Sequence, residues 1–165
     1  MANENLQDLY VEQLRDLHSA ETQILKALPK MISKTTHPEL KQALQEHSKV
    51  TEKQVQRLES IFTELGEKAT GHKCKGMEGL LVEGEEALTD YKDGDVLDAA
   101  IIASAQRVEH YEIAGYGTVR SMATMLGFEK QAKLLQETLD EEGDADETLS
   151  GLAERVVNID ALKAD

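Results

Sequence analysis

The chemistry this sequence can offer rests on Glu21, His47, Glu109, Glu112 and the neighbouring pair Glu141 and Glu142. They fall on or beside apolar stripes with helical spacing. Glu21 interrupts the stripe of Leu14, Leu17, Ile24, Leu25 and Leu28. His47 interrupts that of Leu40, Leu44, Val55 and Leu58. Glu112 breaks the run of Ile101, Ala105, Val108 and Val119, with Glu109 one turn before it and Tyr116 one turn after. Glu142, with Glu141 and Asp146 nearby, interrupts Leu135, Leu139 and Leu149. A single glutamate on such a stripe is ordinarily a rim residue that reaches solvent. Several carboxylates gathered in low dielectric repel one another and lack solvation, so they need protons, water or a cation. Carboxylate and imidazole ligands together suit iron, manganese or zinc.

The elements that must position these groups are helices. Leu, Ala, Glu, Lys and Gln dominate, all strong helix formers, and no run rich in Val, Ile, Thr and aromatics is long enough for a sheet. The spacing predicts long helices over 5–33, 39–65, 95–126 and 129–162, and a shorter one over 76–91. Pro29 is expected to kink or loosen the end of the first helix. Pro38 suits the first turn of the second, where a missing N–H costs little. Gly66 and Gly127 are stop signals, and Asp95 is a candidate N-cap. Gly143 and Gly151 are weak points within the last helix, each costing about 1 kcal/mol against alanine. Hairpin, long crossover, hairpin is the connectivity of ferritin-like bundles. The expected fold is therefore an all-α, ferritin-like antiparallel four-helix bundle. It forms one domain over 1–165, with an extra short helix in the crossover.

Position along the helices sharpens the cluster. The hairpin turns fall near residues 35 and 127. Glu21, His47, Glu112 and Glu142 each stand about 12–15 residues from their turn, or ~18–23 Å at the helical rise. With both turns expected at the same end, the polar groups meet at one level of the bundle.

Composition excludes several classes of function. The 165-residue chain carries a formal net charge of −14, which opposes nucleic-acid binding and an anionic membrane surface. No stretch approaches the ~20 apolar residues a membrane span needs. The start, MANENLQDLY, lacks the basic and apolar regions of a signal peptide. Cys74, the single cysteine, rules out an internal disulfide. A cytoplasmic protein is the expectation.

The segments LRDLHSAETQILKALPKM (14–31), QEHSKVTEKQVQRLE (45–59), KCKGMEGL (73–80), AAIIASAQRVEHYEIAGYGT (99–118) and LLQETLDEEGDAD (134–146) resemble the YciE/YciF family of bacterial stress-associated ferritin-like proteins. The resemblance covers nearly the whole chain, and VEHYEIAGYGT is its most specific block. It implies a fold similar to rubrerythrins and manganese catalases, and a homodimer. It also implies that the family's acidic positions fall on Glu21, Glu109, Glu112, Glu141 and Glu142, and its helix-two histidine on His47. Two departures stand out. Where the family usually reads His-Leu-Glu-Glu-Thr, this chain has His47-Ser48-Lys49-Val50-Thr51, so the acid one turn after the histidine is Val50. Gly143 stands where the family usually has lysine after the acidic pair. The first departure removes a candidate ligand and points to an incomplete two-metal site, a single metal or a weak site.

Other residues carry weaker signals. Tyr116 is either a carboxylate's hydrogen-bond donor or a plain core tyrosine. His110 lies off the main stripe. Asp16 and His18 are expected to face solvent. His72 and Cys74 lack the second ligand pair of a zinc site. Lys73 and Lys75 would favour a reactive thiolate at Cys74, against which stands simple burial. The sequence thus supports a stress-response protein with a non-haem iron or manganese redox or metal-binding site. The alternative is a non-catalytic dimeric stress protein or partner-binding scaffold with a degenerate metal site.

Overall fold

The computed structural model describes residues 5–164, all of whose regular structure is helical. The elements are α1 (Leu6–Lys34), α2 (Pro38–Leu65), α3 (Lys75–Asp90), α4 (Asp95–Met125), α5 (Glu129–Leu152) and α6 (Asn158–Lys163). A π-helical turn, Ala153–Val157, joins α5 to α6. No helix among the described residues is long and apolar enough to cross a membrane.

Local chemistry sets most of the ends. The Asn5 side chain accepts the Asp8 N–H at 2.9 Å and caps α1. Pro38 opens α2, and Gly66 closes it at φ 67°, in the left-handed region that suits glycine. Gly127 makes the α4–α5 turn at φ 77°. Pro29 lies inside α1, which continues to Lys34. Asp95 is the first residue of α4 rather than its cap, a position taken by Gly94. Gly143 and Gly151 both lie within α5. The expected single helix over 129–162 is instead interrupted by the π turn.

The direction of the helices corrects one expectation. The α1–α2 turn meets the start of α4, because the Asp98 carboxylate accepts the backbone N–H groups of Thr36 at 2.9 Å and His37 at 2.8 Å. The α4–α5 turn lies at the far end, beside the start of α1. There the rings of Tyr10 and Phe128 stand 5.9 Å apart, and the Tyr10 hydroxyl donates to Gln131 at 2.8 Å. The two hairpin turns therefore sit at opposite ends, not the same end. The reason is the crossover. Its helix α3 climbs alongside α1, from the Cys74–Ser19 contact to ion pairs of Glu85 with Lys30 and Asp93 with Lys34. This returns the chain to the end of the first turn before α4 begins.

The apolar core forms two parts. One gathers Ile24, Leu28, Leu44, Ile101, Val108 and Leu149. The other gathers Tyr10, Leu14, Leu58, Phe62, Tyr116 and Leu135. Buried polar residues from the four long helices occupy the level between them.

Candidate metal centre

The helices bring His47, Glu109, Glu112 and Glu142 together, one ligand atom of each lying within 4.8 Å of the others. Glu109 and Glu112 share a face of α4 because residues three apart are neighbours on a helix. His47 comes from α2, and its Nε2 stands 3.4 Å from Glu109 Oε1. Glu142 enters from α5. Glu21, on α1, borders the group, and its Oε1 accepts the Tyr116 hydroxyl at 2.5 Å. Tyr116 is thus the carboxylate's donor. Glu21, Glu112 and Glu142 are 0% exposed and Glu109 is 2% exposed.

Apart from Tyr116, His47 and one another, these carboxyls lack partners. Both oxygens of Glu112 and of Glu142, and Oε2 of Glu21 and of Glu109, are buried without a hydrogen bond. Burial pushes Glu21 up to about 8, assisted by the charge of Glu142 and opposed by the Tyr116 donor. Burial raises Glu109 to about 11, again assisted by Glu142. Glu112 is held well above the usual carboxylate range by burial and by the charges of Glu142 and Glu21. Burial also lowers His47, which favours the neutral imidazole. Such perturbed groups, clustered in a buried site, make this a candidate functional site.

Glu141 is not brought into the group. Its carboxylate accepts Arg57 Nη1 at 2.6 Å and Nη2 at 2.8 Å, and Gln54 Nε2 at 3.1 Å. Against the upward pull of partial burial, these donors hold it below the usual carboxylate range. Of the neighbouring pair, Glu142 faces the core and Glu141 ties α5 to α2. The sequence missed Arg57 because its partner lies on another helix, and no local spacing announces such a contact.

Val50 lines a cavity of about 260 Å³ that also touches His47, Glu109, Glu141, Glu46 and Asp144. It leaves α2 with no acid one turn after His47.

Two residues expected in solvent are turned inward. His18 is 9% exposed and stands edge-on to Phe62, with ring centroids 6.2 Å apart. Asp16 accepts the Tyr111 hydroxyl at 2.7 Å and the Cys74 thiol at 3.2 Å. The short helix α3 packs over that side of α1, which the apolar stripe alone did not reveal. Cys74 is 0% exposed, and burial raises its thiol. Lys73 is engaged by Glu78, and of the two readings of Cys74 simple burial is the one that fits. His72 bonds Asp16 at 3.0 Å. His110 is exposed and 3.2 Å from Asp146.

Comparison with known proteins gives the family. Residues 5–162 match the family model described as a domain of unknown function, DUF892. The chain is 42% identical over 159 residues to the Escherichia coli protein YciF, covering 96% of each. It is similar to the solved structure of that protein, titled the E. coli stress protein YciF, with a TM-score of 0.89 over 94% of this chain and 98% of that one. A Rhodopseudomonas palustris protein, YcfI, is 44% identical, with a TM-score of 0.87 over 90% of this chain and 94% of that one. A two-domain protein from Anabaena variabilis contains a ferritin-like domain. It matches at 20% identity with a TM-score of 0.67, over 95% of this chain and 39% of that one, and bears on the fold alone. The fold is thus ferritin-like, and the chain belongs to the DUF892 family, with YciF among its relatives.

Proposed function

We propose that this chain is a stress-associated metal-binding protein whose bundle core holds iron or manganese on His47, Glu109, Glu112 and Glu142, with Glu21 beside them. The observation that carries the reading is the set of buried, partnerless oxygens of Glu112 and Glu142 within 4.8 Å of a histidine nitrogen. A site meant to stay empty would leave these acceptors desolvated with nothing in return. The donor set fits the metal: two carboxylates balance a divalent cation, the third carboxyl can keep its proton, and the set of carboxylate and imidazole suits manganese and iron. Bound there, the metal supplies a redox-active electrophile for a small oxidant such as peroxide or oxygen.

The chain's own residues define the rest. Tyr116 fixes one oxygen of Glu21 and leaves the other facing the cluster. The clamp of Arg57 and Gln54 on Glu141 holds α5 at the register that points Glu142 inward. The cavity between α2 and α5, with Glu46, Glu141 and Asp144 in its lining, gives a cation an acidic approach to His47 and Glu109. With a single histidine and with Val50 beside it, the set suits one metal ion better than two. The stress role printed for the E. coli relative extends to this chain as part of the proposal, as does a homodimer, which sedimentation velocity tests.

The test of the site is metal content. Protein purified from cells grown with iron or manganese, or reconstituted anaerobically, is expected to hold about one ion per chain. Less than about a tenth of an equivalent after both treatments overturns the reading.

A second reading draws on Val50: a non-catalytic scaffold that has lost its metal. It predicts that Glu112→Ala keeps cellular function and raises stability, because a desolvated carboxyl without a hydrogen bond is removed. Loss of function in a folded Glu112→Ala protein rules it out.

A further inference from the structure

The apolar half of the core above the cluster contains a second cavity, of about 280 Å³ and partly open to solvent. Leu28 and Met31 of α1, Leu81 and Leu88 of α3, and Ala105 and Val108 of α4 form its walls. Its inner wall carries His47 and Glu109, the same two groups that edge the α2–α5 cavity. Lys26, Lys30 and Glu85 stand at the rim, where the Lys30–Glu85 ion pair joins α1 to α3.

A hollow of this size leaves apolar side chains of α1, α3 and α4 without a packing partner on one side. Bundle cores interdigitate with few gaps larger than a water molecule, and each gap forfeits dispersion contacts. The helix α3 packs on α4 through its buried residues Met77, Gly84 and Leu88, and other apolar side chains of α3 line the opening. Gly84 meets Ser104 of α4, where a Cβ would make ordinary van der Waals contact at 3.6 Å with the serine Cβ. The two cavities also differ in character. The one between α2 and α5 has acids at its edge, whereas this one is mainly apolar, with His47 and Glu109 among its polar groups.

We propose that this cavity binds a small apolar molecule bearing one terminal oxygen function, with its tail among α1, α3 and α4 and its oxygen against His47 and Glu109. An apolar cavity of ~150 Å³ accepts benzene, so this one accommodates a chain of roughly ten heavy atoms. The polar pair on the inner wall selects the oxygen end, because Glu109 Oε2 is buried without a hydrogen bond and would stay so against a wholly apolar ligand. The two approaches then divide the work: the cation enters by the acidic cavity and the organic molecule by the apolar one. The proposal rests on the metal reading only for what becomes of the ligand's oxygen end, since binding itself needs no metal.

The experiment is a titration of metal-free protein with 1-octanol, followed by methyl NMR, with metal loading measured in parallel. The expected result is saturable shifts confined to the methyl groups of Leu28, Met31, Leu81, Leu88 and Val108. Ala105→Phe fills the cavity and is expected to weaken binding about tenfold or more. Ala27→Phe, at a half-buried wall position, does the same should Ala105→Phe fail to fold. Unsaturable shifts, shifts spread over the surface, or undiminished binding in folded Ala27→Phe overturn the proposal. So does a dimer that dissociates in Ala27→Phe while octanol never binds wild type, because the cavity is then covered by a second copy. Octanol binding without metal uptake would sink the metal reading alone, and metal uptake without octanol binding would sink the cavity alone.

Discussion

At the scale of the residue, the cluster stores an acid–base signature. In the unfolded chain the carboxyls titrate near their ordinary value of 4.5, whereas in the folded chain Glu21 keeps its proton to about 8 and Glu109 to about 11. Above pH 4.5 the folded state therefore binds more protons than the unfolded one. Stability is full below that pH and is lost as pH rises toward these folded values. Each group that is protonated folded and ionised unfolded adds a slope of about 1.4 kcal/mol per pH unit. The urea midpoint of metal-free protein is accordingly expected to fall between pH 5 and 8. A flat or rising midpoint would contradict the burial of these groups. Metal-loaded protein should behave oppositely, because the cation binds only the deprotonated carboxylates. Much of this was legible in the sequence: Glu21, His47, Glu112 and Glu142 each interrupt an apolar stripe. The choice between Glu141 and Glu142 was not. Neighbouring residues point about 100° apart on a helix, and only the Arg57 contact across to α2 decides which one leaves the core.

At the scale of the element, one buried aspartate fastens three helices. Asp98, 1% exposed, accepts the N–H groups of Thr36 and His37 and the Thr36 hydroxyl, the last at 2.5 Å. It thereby supplies from α4 the cap that α2 lacks, for His37 makes no side-chain capping bond. Asp98→Ala is expected to destabilise the chain by on the order of 3 kcal/mol, since it strips charge-assisted bonds from donors at a buried turn. Thermal melts of the metal-free variant check this, and a loss under about 0.5 kcal/mol would show the cap to be dispensable. The sequence could not reveal it, because Asp98 and Thr36 are far apart in the chain. Glycines give an opposed pair. A Cβ on Gly76 would lie 2.7 Å from the Tyr111 ring, which is held by its bond to Asp16. Gly76→Ala should therefore cost about 1–3 kcal/mol by overpacking. A Cβ on Gly143 meets nothing within 4 Å, so Gly143→Ala should gain about 1 kcal/mol from helix propensity. Equal effects in chemical denaturation would refute the packing argument.

At the scale of the whole molecule, the polar level cuts the core in two, so its neutralisation bears on the stability of the entire bundle. A metal at about one hundred times its dissociation constant stabilises the folded state by ~2.7 kcal/mol. For a domain of this size that corresponds to a rise in Tm of roughly 5–10 °C. Calorimetry with and without added iron(II) or manganese(II) measures it, chelator should reverse it, and an unchanged Tm counts against the site. The formal charge of −14 acts in the same direction, raising the local concentration of cations.

Helix type, approximate helix limits and the side chains that break the apolar stripes were determined by the sequence alone, because each depends on neighbours within a turn or two of the chain. The meeting of those side chains at mid-height was also anticipated, but through a premise the tertiary structure replaced. The hairpin turns lie at opposite ends, and the polar groups still coincide because each sits near the middle of its helix. What the fold alone decided are the relations between distant segments: the Asp98 cap, the Arg57–Glu141 clamp, the inward turn of Asp16 and His18, and the apolar cavity beneath α3. Each arises where two or three helices approach, and a local pattern carries no record of which faces the crossover brings together.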